Sequence, residues 1–260
     1  MVRICLIAAL LFLTLEGSAQ FYSPSNVFAH NDYVRATPFH TAYDLRVGFI
    51  EADVFLWEGT LMVAHQESEI QAGKDFETLY LKPLAQEVKR NGGFAYPDVR
   101  DRLTIMIDLK TEGPPTLDAL VKLLDRYPAL TSCKNLQFMI SGNVPDPGTW
   151  DQYPLYIFID GRPNISYTTD QLKRVSMIST SFKSHVSWDG HSALTETDRT
   201  TISSLMADAH RKRKVFRFWA TPDFPEAWKQ LMQLQMDVLV TDNVTGLCDF
   251  LKENGVDQVR

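Results

Sequence analysis

Gly48-Phe49-Ile50-Glu51-Ala52-Asp53-Val54 is the stretch on which the fold turns. Its apolar residues leave no polar face, the form of a strand buried on both sides. Yet two carboxylates stand two residues apart in it, and that spacing projects both to one face. Buried strands rarely carry acids unless these are paired or bind a metal, so the run reads as a core strand that carries a site. Seven further runs share the form, at residues 26–30, 103–108, 136–141, 155–160, 175–179, 215–219 and 238–242.

Helical patterns separate most of them. They fall at 37–47, at 77–91 with Gly92-Gly93 as the stop, and at 116–127 between Pro114-Pro115 and Pro128. Residues 195–211 place Ile202, Leu205, Met206 and Ala209 on one face behind a Thr195-to-Asp198 start signal, and 225–235 and 245–252 complete the set. The segments between the fourth, fifth and sixth strands look irregular. Eight strands alternating with helices predict the α/β class and a (β/α)8 TIM barrel in a single domain, over an open doubly wound sheet.

The first residues stand apart. Arg3, an apolar run from Ile4 to Leu15, and then Gly17-Ser18-Ala19 have the form of a cleaved signal peptide, residues 1–19. The run is shorter than the roughly 20 residues a spanning helix needs. A secreted or periplasmic protein with no stable membrane span, its domain at residues 20–260, is therefore expected. The net charge of −6 argues against nucleic acid as a partner. The basic run Arg211-Lys212-Arg213-Lys214 follows a predicted helix, where cations suit the helix dipole. Cys133 and Cys248 are expected as buried free thiols.

A barrel carries its active site at the C-terminal ends of its strands. The residues there are His30-Asn31-Asp32, Glu51 and Asp53, Asp108 and Lys110, Ser141, Arg162, Trp219 and Asp242. Glu51, Asp53 and Asp108 converge from adjacent strands and repel unless a cation sits among them. One hard divalent ion, Mg²⁺ or Ca²⁺, is the natural ligand for such oxygens. His65 follows a short strand, 61–64, folded back by a turn at Glu58-Gly59, which returns it to the acids. Two histidines beside an acidic metal site suit in-line phosphoryl transfer, one taking a proton and one giving it. Of the aromatics Tyr33, Trp57, Trp188 and Trp219, only Trp219 is singled out for a substrate pocket. The segment from His185 to His191 lacks the carboxylates that a second metal site needs.

These residues carry a resemblance. His30-Asn31-Asp32, residues 48–54, residues 61–65, Asp108-Leu109-Lys110, Phe218-Trp219-Ala220 and residues 238–243 resemble the glycerophosphodiester phosphodiesterase-like family of the phosphatidylinositol-phospholipase-C-like superfamily. The resemblance implies His30 and His65 as acid and base, Glu51 and Asp53 as metal ligands, and Lys110 on the phosphate. It implies a small or lipid-derived phosphodiester as substrate, often attacked by its own neighbouring hydroxyl to give a cyclic phosphate. Asn31 stands where classical members have arginine, their Glu-Asn-Thr element is missing, and Asp108 replaces a glutamate, as in sphingomyelinase-D-like phospholipases. The opening His-Asn-Asp-Tyr marks a divergent branch. Losing the arginine removes a bidentate phosphate clamp, a place Arg162 could fill; Asn31, Asp32, Trp219 and Asp242 are the other expected substrate contacts. A silent barrel that binds metal or phosphorylated ligands and a two-carboxylate glycosidase are the competing readings. Glu51 and Asp53 on one strand sit too close to straddle a sugar.

Overall fold

The computed structural model describes residues 21–254, so the expected signal peptide lies outside the described residues. Nine strands form one sheet: β1 (Val27–Ala29), β2 (Phe49–Trp57), β3 (Thr60–Val63), β4 (Leu103–Leu109), β5 (Leu136–Gly142), β6 (Ile157–Gly161), β7 (Val175–Ser181), β8 (Val215–Trp219) and β9 (Leu239–Thr241). All eight runs read as core strands are strands. They pair in parallel in the order β8-β7-β6-β5-β4-β2-β1-β9, and β3 alone is antiparallel, on β2. The sheet curls into a nearly closed barrel with β8 beside β9 at the seam. The fold is a single-domain (β/α)8 barrel.

Two carboxylates bond the seam where ladder bonds are missing. Asp237 accepts from the backbone N–H of Phe216 on β8 at 2.7 Å, and Asp223 accepts from that of Asp242 after β9 at 2.8 Å. Strand N–H groups at an open edge need such partners when they are withdrawn from water.

Alternation along each strand divides the core. On β4, Ile105 and Ile107 pack outward in the core under the helices, whereas Met106 points into the barrel with Phe28, Met139, Met177, Val238 and Val240. The inward positions closer to the C-terminal ends are polar: Glu51, Asp53, Asp108, Ser141, Asp160, Ser179 and Arg217. An apolar plug thus lies beneath a charged layer.

The helices are α1 (His40–Asp44), α2 (Lys82–Arg90), α3 (Gly113–Leu124), α4 (Pro128–Thr131), α5 (Thr169–Arg174), α6 (Glu196–Arg211), α7 (Pro225–Gln233) and α8 (Val244–Asn254). Two differ from expectation. The pattern at 37–47 yields only α1, because Phe39 before it and Arg46 after it have φ of 66° and 58°, outside the helical range. Pro114-Pro115 lies inside the first turn of α3 rather than ahead of it, since a helix start has N–H groups to spare. The stretch from 77 opens with a wide π-turn, Glu77–Leu81, and α2 stops ahead of Gly92 and Gly93, both at positive φ. The segments expected to be irregular hold a 3-10 helix, Pro147–Gln152, and the short α5. α6 starts on the expected capping box of Thr195 and Asp198. Cys133 and Cys248 are buried and free.

Candidate active site

The turn after β2 decides where His65 goes. Glu58 and Gly59 have φ of 48° and 78°, as a two-residue hairpin turn matching strand twist requires. β3 then runs back with Val63 opposite Val54, and His65 emerges beside Asp53. Its Nδ1 lies 3.3 Å from Asp53 Oδ2, and the side chain is largely exposed.

β2 and β4 run in register with Asp53 opposite Asp108, so their acids share one face. One oxygen each from Glu51, Asp53 and Asp108 lies within 4.8 Å of the others. Glu51 and Asp53 are buried, and burial raises the pKa of both; His30 and Arg217 oppose this at Glu51, and Lys110 opposes it at Asp53. The Lys110 ammonium spans Asp53 and Asp108 at 3.0 Å from each. Burial works against its charge, but the two carboxylates outweigh burial and raise its pKa. Asp108 Oδ1 is buried with no hydrogen-bond partner. It sits against Gly142, at φ 72°, in space that a Cβ there would occupy. Clustered carboxylates with an orphaned oxygen suit a hard divalent cation.

His30 faces the cluster from β1. Its Nε2 is 3.6 Å from Glu51 and its Nδ1 2.8 Å from Asp242. Burial disfavours the imidazolium, but the Asp242 hydrogen bond and the charges of Glu51 and Asp242 prevail and raise its pKa. The same bond lowers that of Asp242. Asn31 has φ 48°; its N–H donates to Glu51 and its amide to Asp242, at 3.2 and 3.3 Å.

Asp32 corrects the sequence reading, which expected it on the substrate. Its carboxylate is fully buried, accepts from the Phe39 N–H at 2.6 Å and the Tyr80 hydroxyl at 3.0 Å, and shapes the loop into α1. The left-handed backbone at Asn31 turns Asp32 away from the mouth. Tyr33 enters instead: its hydroxyl is 2.8 Å from Asp53, 2.9 Å from Asn31 and 3.2 Å from His65. Being an aromatic on a loop, it had no signal to separate it from an anchor.

Across the mouth lies a basic half. Arg162 reaches Asp160 Oδ2 at 2.8 Å, Ser179 at 2.9 Å and Ser141 at 3.2 Å, and lies over the Trp219 ring at 5.0 Å. Arg217, 3% exposed, donates to the same Asp160 at 3.2 Å and stacks over Phe28 at 4.2 Å. Its Nε and one terminal nitrogen have no partner. A charge at the centre of Val-Phe-Arg-Phe-Trp is the signal that singled out the acids, and Arg217 and Asp160 were legible by it. Trp188 is buried with its indole N–H on Ser192, and Trp57 is exposed at the hairpin tip. His185 and His191 meet a threonine and a phenylalanine ring, and among the described residues the one metal-competent cluster is that of Glu51, Asp53 and Asp108.

Comparison with known proteins agrees with the fold. The model of the AIM6-like phosphodiesterase domain matches residues 19–131, and that of the glycerophosphoryl diester phosphodiesterase family matches residues 215–245. These two matches support a glycerophosphodiester phosphodiesterase-like family for the chain. An altered inheritance of mitochondria protein 6 homolog from Arthroderma benhamiae is 27% identical, over 85% of this chain and 82% of the relative. Altered inheritance of mitochondria protein 6 from Eremothecium gossypii is 25% identical, over 87% of this chain and 69% of its own length. A glycerophosphodiester phosphodiesterase from Parabacteroides distasonis shares the fold with a TM-score of 0.55 at 15% identity, covering 88% of this chain and 97% of that one. The family segments contain both histidines, all three clustered acids, Lys110, Arg217, Trp219 and Asp242. β5 to β7, with Asp160 and Arg162, lie outside both.

Proposed function

We propose that this barrel is an exported, metal-dependent phosphodiesterase acting on a glycerophosphodiester or a related phospholipid-derived diester. The observation that carries the reading is the convergence of Glu51, Asp53 and Asp108 between two histidines. Bound there, Mg²⁺ or Ca²⁺ would neutralise charge developing on the phosphoryl oxygens.

The side chains supply the rest. Each imidazole meets a carboxylate through Nδ1, His30 through Asp242 and His65 through Asp53. A proton held on Nδ1 leaves Nε2 to exchange protons with the substrate. His30 and His65 are then the acid–base pair, one drawing the proton from the attacking hydroxyl and the other protonating the leaving oxygen. Lys110, spanning Asp53 and Asp108, and Arg162 on the opposite rim offer cations to the phosphoryl oxygens, Arg162 in place of the arginine missing at Asn31. Trp219 beneath Arg162 provides an apolar wall, while Asp242 holds His30 in orientation and Asn31 donates to Asp242.

The test is a panel of glycerophosphocholine, glycerophosphoinositol, lysophosphatidylcholine and sphingomyelin, each with Mg²⁺, Ca²⁺ or EDTA, read by phosphorus NMR. Metal-dependent loss of a diester names the substrate, and the resonance of the product separates a cyclic phosphate, as sphingomyelinase-D-like chemistry gives, from a hydrolysed one. Folded, metal-bound protein inert on every diester would favour a barrel that only binds metal and phosphorylated ligands.

A further inference from the structure

The opposite end of the barrel holds a second concave site. A cavity of about 550 Å³ opens at the N-terminal ends of the strands, away from the acids, and Arg100, Arg102, Lys173, Arg213 and Lys214 line it. They arrive from separate segments: the approach to β4, the last turn of α5 and the approach to β8. No carboxylate is among the described residues lining the cavity. Arg100 is paired with Asp98 and Lys173 with Asp170, but the side chains of Arg102, Arg213 and Lys214 have no hydrogen bond or ion pair among the described residues. Burial lowers the pKa of Lys214, with no acid to offset it.

The basic run at 211–214 is therefore more than the end of a helix. Arg211 pairs with Asp208 on α6, as helix-end chemistry predicts, but Arg213, at φ 58°, and Lys214 belong to the cavity wall. In a chain of net charge −6, Arg102, Arg213 and Lys214, facing one cleft without counter-charges, concentrate positive potential there. Guanidinium forks match phosphate and sulfate oxygens. Thr104, Gln137 and Ser176 on the floor can hydrogen-bond to hydroxyls, and the volume suits a small ligand.

We propose that this cavity binds a small ligand bearing two or more phosphate or sulfate groups, at a site separate from the acidic cluster. The ligand is either soluble or the headgroup of a lipid, and the two sources present the same chemistry.

The experiment titrates the full chain with inositol hexakisphosphate by calorimetry, alongside co-sedimentation with phosphatidylcholine vesicles with and without a polyphosphoinositide. It compares wild type, Arg213→Glu/Lys214→Glu, the milder Arg213→Gln/Lys214→Gln, Glu51→Ala, and Lys74→Glu/Lys134→Glu as an exposed pair with the same charge change. Circular dichroism establishes folding, and the Gln pair carries the test should the Glu pair misfold. The proposal expects both cavity pairs to weaken binding roughly tenfold or more, while Glu51→Ala and the exposed pair stay near wild type. Binding of the free polyanion identifies a soluble ligand; binding only of phosphoinositide vesicles, with the same dependence on Arg213 and Lys214, identifies a headgroup. Absence of binding in both arms, equal loss in the exposed pair, or loss in Glu51→Ala instead of the cavity pairs would overturn it.

Discussion

A glycine holds one of the clustered carboxylates in place. Gly142 leaves room for Asp108 Oδ1, and its φ of 72° is strained for any other residue. Gly142→Ala should displace the Asp108 carboxylate and weaken divalent-ion affinity about 10- to 100-fold, as losing a group that orients a metal ligand does. Calorimetric titration with Mn²⁺ checks this; unchanged affinity in a folded variant would remove Asp108 from the ligand set. Asp32 belongs to the loop instead. Asp32→Ala leaves the Phe39 N–H and the Tyr80 hydroxyl without their buried acceptor and should cost about 1–3 kcal/mol of stability in urea unfolding. The contrast between these acids explains what was legible at this scale. Glu51, Asp53 and Asp108 lie in or near regular strands, where position fixes direction. Asp32 follows a residue in the left-handed region, and nothing in His-Asn-Asp-Tyr announces that turn.

At the scale of elements, the hairpin and the helices read well wherever a local signal existed. Glu58-Gly59 specifies the turn that carries His65 back, and Thr195 with Asp198 specifies the start of α6. α1 read too long because its ends are set by backbone conformations that its side-chain pattern does not encode. The tie between the π-turn ahead of α2 and the chain just after α3 was invisible for a related reason, being tertiary. Glu77 accepts from the Tyr127 hydroxyl and from Arg126, both at 2.6 Å. The Tyr127 hydrogen bond first, then Arg126, lowers its pKa. A depressed carboxylate stabilises the fold above its unfolded pKa, about 4.3, and loses that contribution as pH falls through the lower folded value. Wild type should therefore exceed Glu77→Gln by about 0.5–1.5 kcal/mol at neutral pH, and the gap should narrow below about pH 4. Thermal melts across that range decide it; a gap that widens in acid would contradict the assignment.

For the whole molecule, the barrel depends on its seam. The eight runs, their polar C-terminal ends and the barrel they predict followed from strand composition, but the bonds that close the seam did not, because Asp223 and Asp237 lie between elements and their partners are distant in sequence. Asp237→Ala withdraws the acceptor of the Phe216 N–H and a partner of His210, and should cost about 1–3 kcal/mol, with faster amide exchange on β8 than on β4. Unaltered exchange on β8 would show that the seam needs no such bond. A nearly closed barrel sets an acidic half carrying Glu51, Asp53 and Asp108 opposite a basic half carrying Arg162 and Arg217; on the proposed function, a phosphodiester between them would meet the bound ion on one side and Arg162 on the other. The most direct measurement is Mn²⁺ binding and diester turnover in the same preparation, in wild type and Glu51→Gln. The account predicts one ion per chain, lost together with turnover in Glu51→Gln and in EDTA. Turnover that persists without the ion, or an ion indifferent to Glu51, would contradict it.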